Sequence, residues 1–168
     1  MSSKKNFLVQ GKPGTGKSLL MYDIAKELID REQVLIIHTG KLNDGHRKLI
    51  EKGFNISPIK QYKKIDTDKK IKYILIDESQ RLKLHQLNDF IEYSGRSDVK
   101  LVFFADGEQT LHKSEANEKI CEKITFHIEQ GQNQGEKFKL KSKIRSNIDL
   151  AQFILKILTL PLSLSDKE

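Results

Sequence analysis

Eight residues constrain this chain more than any other feature: Gly11-Lys12-Pro13-Gly14-Thr15-Gly16-Lys17-Ser18. They match the pattern G-x-x-x-x-G-K-[ST]. The physical demand behind the pattern is specific. A polyphosphate needs backbone N–H groups that point inward at the positive end of a helix. Glycines let the backbone wrap that closely. In such a loop Lys17 reaches the β and γ phosphates, and Ser18 offers an oxygen to magnesium. The context agrees, because the apolar run Phe7-Leu8-Val9-Gln10 precedes the octet. After it, Met21, Ile24, Ala25 and Leu28 fall on one face of a helix expected from Gly16 to about Asp30.

The rest of the chain alternates in the same way. Val34 to His38, Tyr73 to Asp77 and Val99 to Ala105 read as buried strands, and Phe138 to Leu140 as a last one. Phe54 to Ile59 reads as a short edge strand interrupted by Pro58. Helices are expected from Asp44 to Lys52, around Leu84, Leu87 and Ile91, and from Glu115 to about Ile128. A final helix opens at Ser146, where Asp149 stands in a capping-box position. Apolar strands separated by helices imply a parallel sheet covered on both faces. With 168 residues, one domain over 1–160 is expected, followed by a short tail at 161–168.

Composition narrows the partners. No apolar run nears the roughly 20 residues that span a bilayer, and the first residues lack the apolar core of a secretion signal. A single cysteine, Cys121, excludes an internal disulfide and a cysteine metal cage, and the five histidines show no metal-ligand spacing. A reducing cytoplasm is the expectation. The net charge of +7 suits nucleic acid and suits plain solubility. Only Arg31, Arg47, Arg81, Arg96 and Arg145 among the 30 basic residues are arginine. Sequence-reading interfaces favour arginine, so the lysine excess points to backbone contact. The basic stretch from Lys60 to Lys72 contains Tyr62, which could track a phosphate backbone while the ring stacks on a base, or be a solvated loop.

A second constellation completes the first. Ile74-Leu75-Ile76 runs into Asp77-Glu78. Alone, this is a strand entering a solvated turn. Beside a phosphate loop, Asp77 is placed to hold magnesium, directly or through water, and Glu78 to polarise the attacking water as general base. The Val99 strand runs into Asp106-Gly107-Glu108-Gln109, where Gln109 is a candidate sensor of the γ-phosphate.

These residues carry a resemblance. Asp77-Glu78-Ser79-Gln80-Arg81 resembles the D-E-x-Q box of superfamily 1 helicases, Ala105-Asp106-Gly107-Glu108-Gln109 their G-D-x-x-Q motif, and Leu140 to Ser146 their L-x-x-x-x-R-S motif. The chain also resembles bacterial helicase-like ATPases with G-x-P-G-T-G-K and D-E-x-Q-R boxes. The resemblance implies ATP and Mg2+ as ligands, ATP hydrolysis coupled to single-stranded nucleic acid, Gln80 near the γ-phosphate, and Arg145 closing over it. Thr39, Asn43 and His46 fall where such proteins face nucleic acid. The implied fold is a three-layer α/β/α RecA-like domain with a mainly parallel five-stranded sheet in the order 5-1-4-3-2, the Val99 strand lying between the Phe7 and Tyr73 strands. Superfamily 1 helicases need two such domains, so a second is expected from a longer chain or another protein, with the helix from about 146 as its possible start. Two alternatives remain. One is a non-motor nucleotide switch. The other is a nucleoside kinase of the thymidine kinase type, which usually carries a four-cysteine zinc site.

Overall fold

The computed structural model describes residues 6–29, 33–64, 71–96, 98–106, 115–130 and 135–140. Strand and helix alternate along them. β1 (Phe7–Gly11) leads through the glycine-rich loop into α1 (Lys17–Ile29), and β2 (Gln33–His38) is followed by α2 (Asp44–Glu51). β3 (Ile56–Pro58) passes into a 3-10 turn (Ile59–Lys64), and β4 (Ile71–Asp77) into a second (Ser79–Arg81). Then come α3 (Leu84–Arg96), β5 (Lys100–Asp106), α4 (Glu115–Gln130) and β6 (Glu136–Leu140). The expected helix at Ser146 lies outside the described residues.

Side chains alternate across a strand with period two, and that alternation builds two cores. Phe7, Val9, Val34, Ile36, Tyr73, Leu75, Val102 and Phe104 face one side, where Leu20, Met21, Ile24, Ala25 and Leu28 of α1 cover them. Leu8, Leu35, Ile37, Ile74, Ile76, Leu101 and Phe103 face the other, under Leu87 and Phe90 of α3 and Ile120, Ile124 and Ile128 of α4. The result is a three-layer α/β/α sandwich around a sheet whose strand pairs are all parallel. Truncating one of the fully buried aliphatics, such as Ile74, to alanine costs about 2–5 kcal/mol.

The sheet corrects the expectation in one respect. It has six strands and not five, and its order is β3-β2-β4-β5-β1-β6 in place of 5-1-4-3-2. The difference comes from the segment Ile56–Pro58, which pairs with Ile36, Ile37 and His38 and forms an additional edge outside β2. The edge strand read at Phe54 to Ile59 is thus a member of the sheet, shortened to three residues, and the five-strand order had left it out. Proline, which lacks the ladder N–H, is tolerated there because the strand is an edge. β5 pairs with β1 on one side and β4 on the other.

Asn6 ties the start of this sheet to its cover. Its Oδ1 accepts from the Leu101 N–H at 2.9 Å, its Nδ2 lies 3.0 Å from His127 Nε2 on α4, and its carbonyl accepts from Glu136 N–H at 3.1 Å. Gly135 packs so closely on that carbonyl that a Cβ would lie 2.0 Å from the oxygen.

Candidate functional site

The strands all run the same way, so their carboxyl ends share one edge. Ligands of open α/β sheets bind along that edge. β1, β5 and β4 end there in Gly11, Asp106 and Asp77, with Gly11 and Asp106 directly in register. β2 adds His38, in register with Asp77.

The loop after β1 is shaped by its glycines. Gly14 and Gly16 have φ of 78° and 92°, a left-handed region that disfavours side chains. Thr15 closes the turn through its N–H and hydroxyl, which donate to the Lys12 carbonyl at 3.2 and 2.8 Å. A Cβ on Gly11 would stand 2.5 Å from Thr15 Oγ1 and 3.0 Å from Leu140 Cβ. α1 begins at Lys17, so the helix's unpaired N–H groups open toward the loop. The Lys17 side chain folds back under it. Its Nζ donates to the carbonyls of Gly11 at 2.9 Å and Lys12 at 3.2 Å, and to the Asp106 carboxylate. This ion pair is buried.

Ser18 Oγ lies 3.4 and 3.3 Å from the two Asp77 oxygens. That is longer than the roughly 2.7–2.8 Å of a well-made O–H···O bond. The donors are hard oxygens, which suits magnesium. No cluster of three or more His, Cys, Asp or Glu able to hold a metal occurs among the described residues. A magnesium ion at Ser18 and Asp77 therefore needs phosphate and water for its remaining positions, which is how it is commonly held.

Glu78 has φ 49° and ψ 42°, the one non-glycine residue with positive φ among those described. Such a conformation costs about 1–2 kcal/mol and persists only when neighbours fix it. Three of them do. Glu78 N–H donates to Asp77 Oδ1 at 3.0 Å, and the Glu78 carbonyl accepts from Thr39 Oγ1 at 3.2 Å. Gln80 Nε2 donates to the Glu78 carboxylate at 2.7 Å, while the same buried amide accepts from Asp106 N–H at 3.3 Å. Gln80 thus joins the ends of β4 and β5.

Beside these acids lies a cavity of about 470 Å³ lined by Ser18, Tyr22, His38, His46, Asp77 and Arg81, among others. His38 Nδ1 is buried without a hydrogen bond and sits 3.6 Å from Asp77 Oδ2. Its ring packs on His46 at 4.3 Å between centroids. Burial first, and then His38, push the His46 pKa down, against a smaller upward pull from Asp77. Burial, helped by the Asp77 charge, pushes the Tyr22 hydroxyl up to about 12.

Lys17, Ser18, Asp77, Glu78 and Gln80 are thus brought together at one edge, with Gly11 to Gly16 forming the loop over it. Gln109 and Arg145 lie outside the described residues. Asn43 and His46 make a reciprocal cap at the start of α2, at 3.1 Å in both directions, and both also line the cavity. The reading of Tyr62 as a stacking platform meets a competing use of the ring. Its hydroxyl donates to Asp89 at 2.6 Å, and its ring packs on Phe90 at 5.5 Å between centroids. Sequence reasoning assigned no role to His38 or Asp106. The signal was available for Asp106, since an acid ending the strand beside the phosphate-loop strand must stand next to the loop.

The family model for the Schlafen group 3 DNA/RNA helicase domain matches residues 4–162 of the chain. Among solved structures, the flagellar accessory protein FlaH from Methanocaldococcus jannaschii aligns with a TM-score of 0.49 and 14% identity, over 73% of this chain and 67% of that one. No curated protein matches the sequence. No helix among the described residues is long and apolar enough to cross a membrane.

Proposed function

Because the chain belongs to the Schlafen group 3 DNA/RNA helicase domain family, we propose that it binds magnesium-ATP at Gly11–Ser18 and hydrolyses it in response to single-stranded nucleic acid. The observation that carries this reading is the meeting of Lys17, Ser18, Asp77 and Glu78 at the carboxyl edge of the sheet, where β5 alone separates β1 from β4. Residues 60 apart in sequence converge there with the donors that nucleotide hydrolysis requires.

In this reading, the loop N–H groups and the start of α1 receive the phosphates. Lys17 places its ammonium against the β and γ phosphates. Ser18 and Asp77 would hold magnesium, which would neutralise negative charge on the phosphates. Glu78 takes the proton of a water whose oxygen attacks the γ-phosphorus, as the bond to the bridging oxygen breaks and ADP leaves. Gln80 holds the Glu78 carboxylate toward that water. Gln109 senses the γ-phosphate, and Arg145 stabilises charge on it in the transition state. A second RecA-like domain would fix that arginine over the phosphate, so hydrolysis is slow without one. The lysine-rich surface contacts nucleic-acid backbone without reading sequence.

Phosphate release from ATP, measured with and without poly(dT) or poly(U) across a salt series, tests this function. Stimulation that fades as salt rises is expected, because lysine–phosphate contacts release counterions. Hydrolysis indifferent to either polymer at every salt concentration would leave the nucleotide site without a motor role. Phosphate transfer to an added nucleoside would replace it with kinase chemistry.

A further inference from the structure

The Lys17 ammonium has three N–H donors, and each meets an acceptor: the Gly11 carbonyl at 2.9 Å, the Lys12 carbonyl at 3.2 Å and the Asp106 carboxylate. The side chains of the ion pair are only 6% and 7% exposed. In this arrangement Lys17 has no donor left for a phosphate oxygen, and a carboxylate already balances its charge. The two carbonyls belong to the loop itself and suit a phosphate-filled loop as well as an empty one. The carboxylate differs, because a polyphosphate set against Lys17 would stand beside a like charge in a site with little water.

Asp106 is also held firmly. It ends β5 in register with Gly11, and its N–H donates to Gln80, whose other end holds Glu78. A short chain of bonds therefore runs from Lys17 through Asp106 and Gln80 to Glu78. We propose that Asp106 is a positioning residue that holds Lys17 in the nucleotide-free site, and that nucleotide binding exchanges its carboxylate for phosphate oxygens on the Lys17 ammonium. This rests on reading Lys17 as a phosphate ligand. The exchange releases the Asp106 carboxylate from Lys17 at the point where the β5 end meets Gln80, so nucleotide occupancy is passed to the residue that orients Glu78.

The test is calorimetric titration of the full chain with magnesium-ATP, using wild type, Asp106→Asn, Asp106→Ala and Lys17→Ala, with circular dichroism as the check on folding. Both Asp106 variants lose the like charge, and Asp106→Ala also loses the competing acceptor, which Asp106→Asn keeps as a neutral amide oxygen. Each is expected to bind at least roughly tenfold tighter, since juxtaposed like charges cost several kcal/mol. Adding Lys17→Ala to either should abolish that gain. Folded Asp106 variants that bind as wild type does, or more weakly, overturn the proposal. So does a chain that cannot fold once Asp106 is replaced, because the pair would then be structural and not exchangeable. Wild-type binding that survives Lys17→Ala overturns the reading of Lys17 itself, a result separate from any Asp106 outcome.

Discussion

Replacing Lys17 with alanine should do more than remove a phosphate ligand, because it takes away the buried ammonium that the Asp106 carboxylate meets. Side-chain exposures of 6% and 7% place this pair well away from water. Breaking a buried pair by removing one partner costs about 3–5 kcal/mol. Whole-domain stabilities are about 5–15 kcal/mol, so the loss is a large share of the total. In a chain of this size each kcal/mol moves the melting temperature by about 2–4 °C. Lys17→Ala should therefore melt about 6–20 °C below wild type without nucleotide. Urea unfolding followed by circular dichroism gives the free energy directly. The double variant Lys17→Ala with Asp106→Asn should recover most of the loss while still failing to bind ATP. That separates the electrostatic cost from the functional one. A Lys17→Ala protein within about 1 kcal/mol of wild type would refute the reasoning, since Asp106 would then not depend on Lys17.

Two further perturbations probe the frame around the site. Gly11→Ala should destabilise the chain by about 1–3 kcal/mol through overpacking and weaken nucleotide binding, because its Cβ must displace Thr15 Oγ1; urea unfolding and ATP titration at wild-type values would contradict this. Burial holds the His127 pKa below its usual 6.5, so the folded protein keeps the ring neutral while the unfolded chain protonates first. Stability from this group is fully present above about pH 6.5 and drains away as the pH falls toward the depressed folded value. His127→Gln, which keeps an acceptor for Asn6 Nδ2, should flatten that decline in urea titrations between pH 7.5 and 5.5, and an equal decline in both proteins would rule it out.

The legible parts of this molecule were those written in local pattern. The octet at Gly11–Ser18 is contiguous, and the apolar runs at Phe7, Val34, Tyr73 and Val99 have no other stable use than buried parallel strands. Asp77 and Glu78 could be placed because they end one of those runs. What stayed hidden depends on pairing across the sheet. The edge strand read at Phe54 to Ile59 shrinks to the three residues of β3, and only its bonds to Ile36–His38 show that it joins this sheet outside β2. His38 is unremarkable in sequence and Asp106 enters only as a member of the Ala105-to-Gln109 motif, and both gain meaning from standing beside Asp77 and Gly11. Tyr62 sits amid lysines in the sequence, yet Asp89 and Phe90, more than 25 residues on, decide where its ring goes. The left-handed backbone of Glu78 had no glycine to announce it.

Glu78→Gln offers the most direct test of the site as an ATP-hydrolysing one. The substitution keeps the size of the side chain and removes only its capacity to take a proton. Paired measurements of magnesium-ATP affinity and of phosphate release, with single-stranded nucleic acid present, should show binding within about threefold of wild type. Hydrolysis should fall by about 10²–10⁴-fold, the usual contribution of a general base. Phosphate release by the Glu78→Gln protein at the wild-type rate would contradict the assignment of Glu78 as the base.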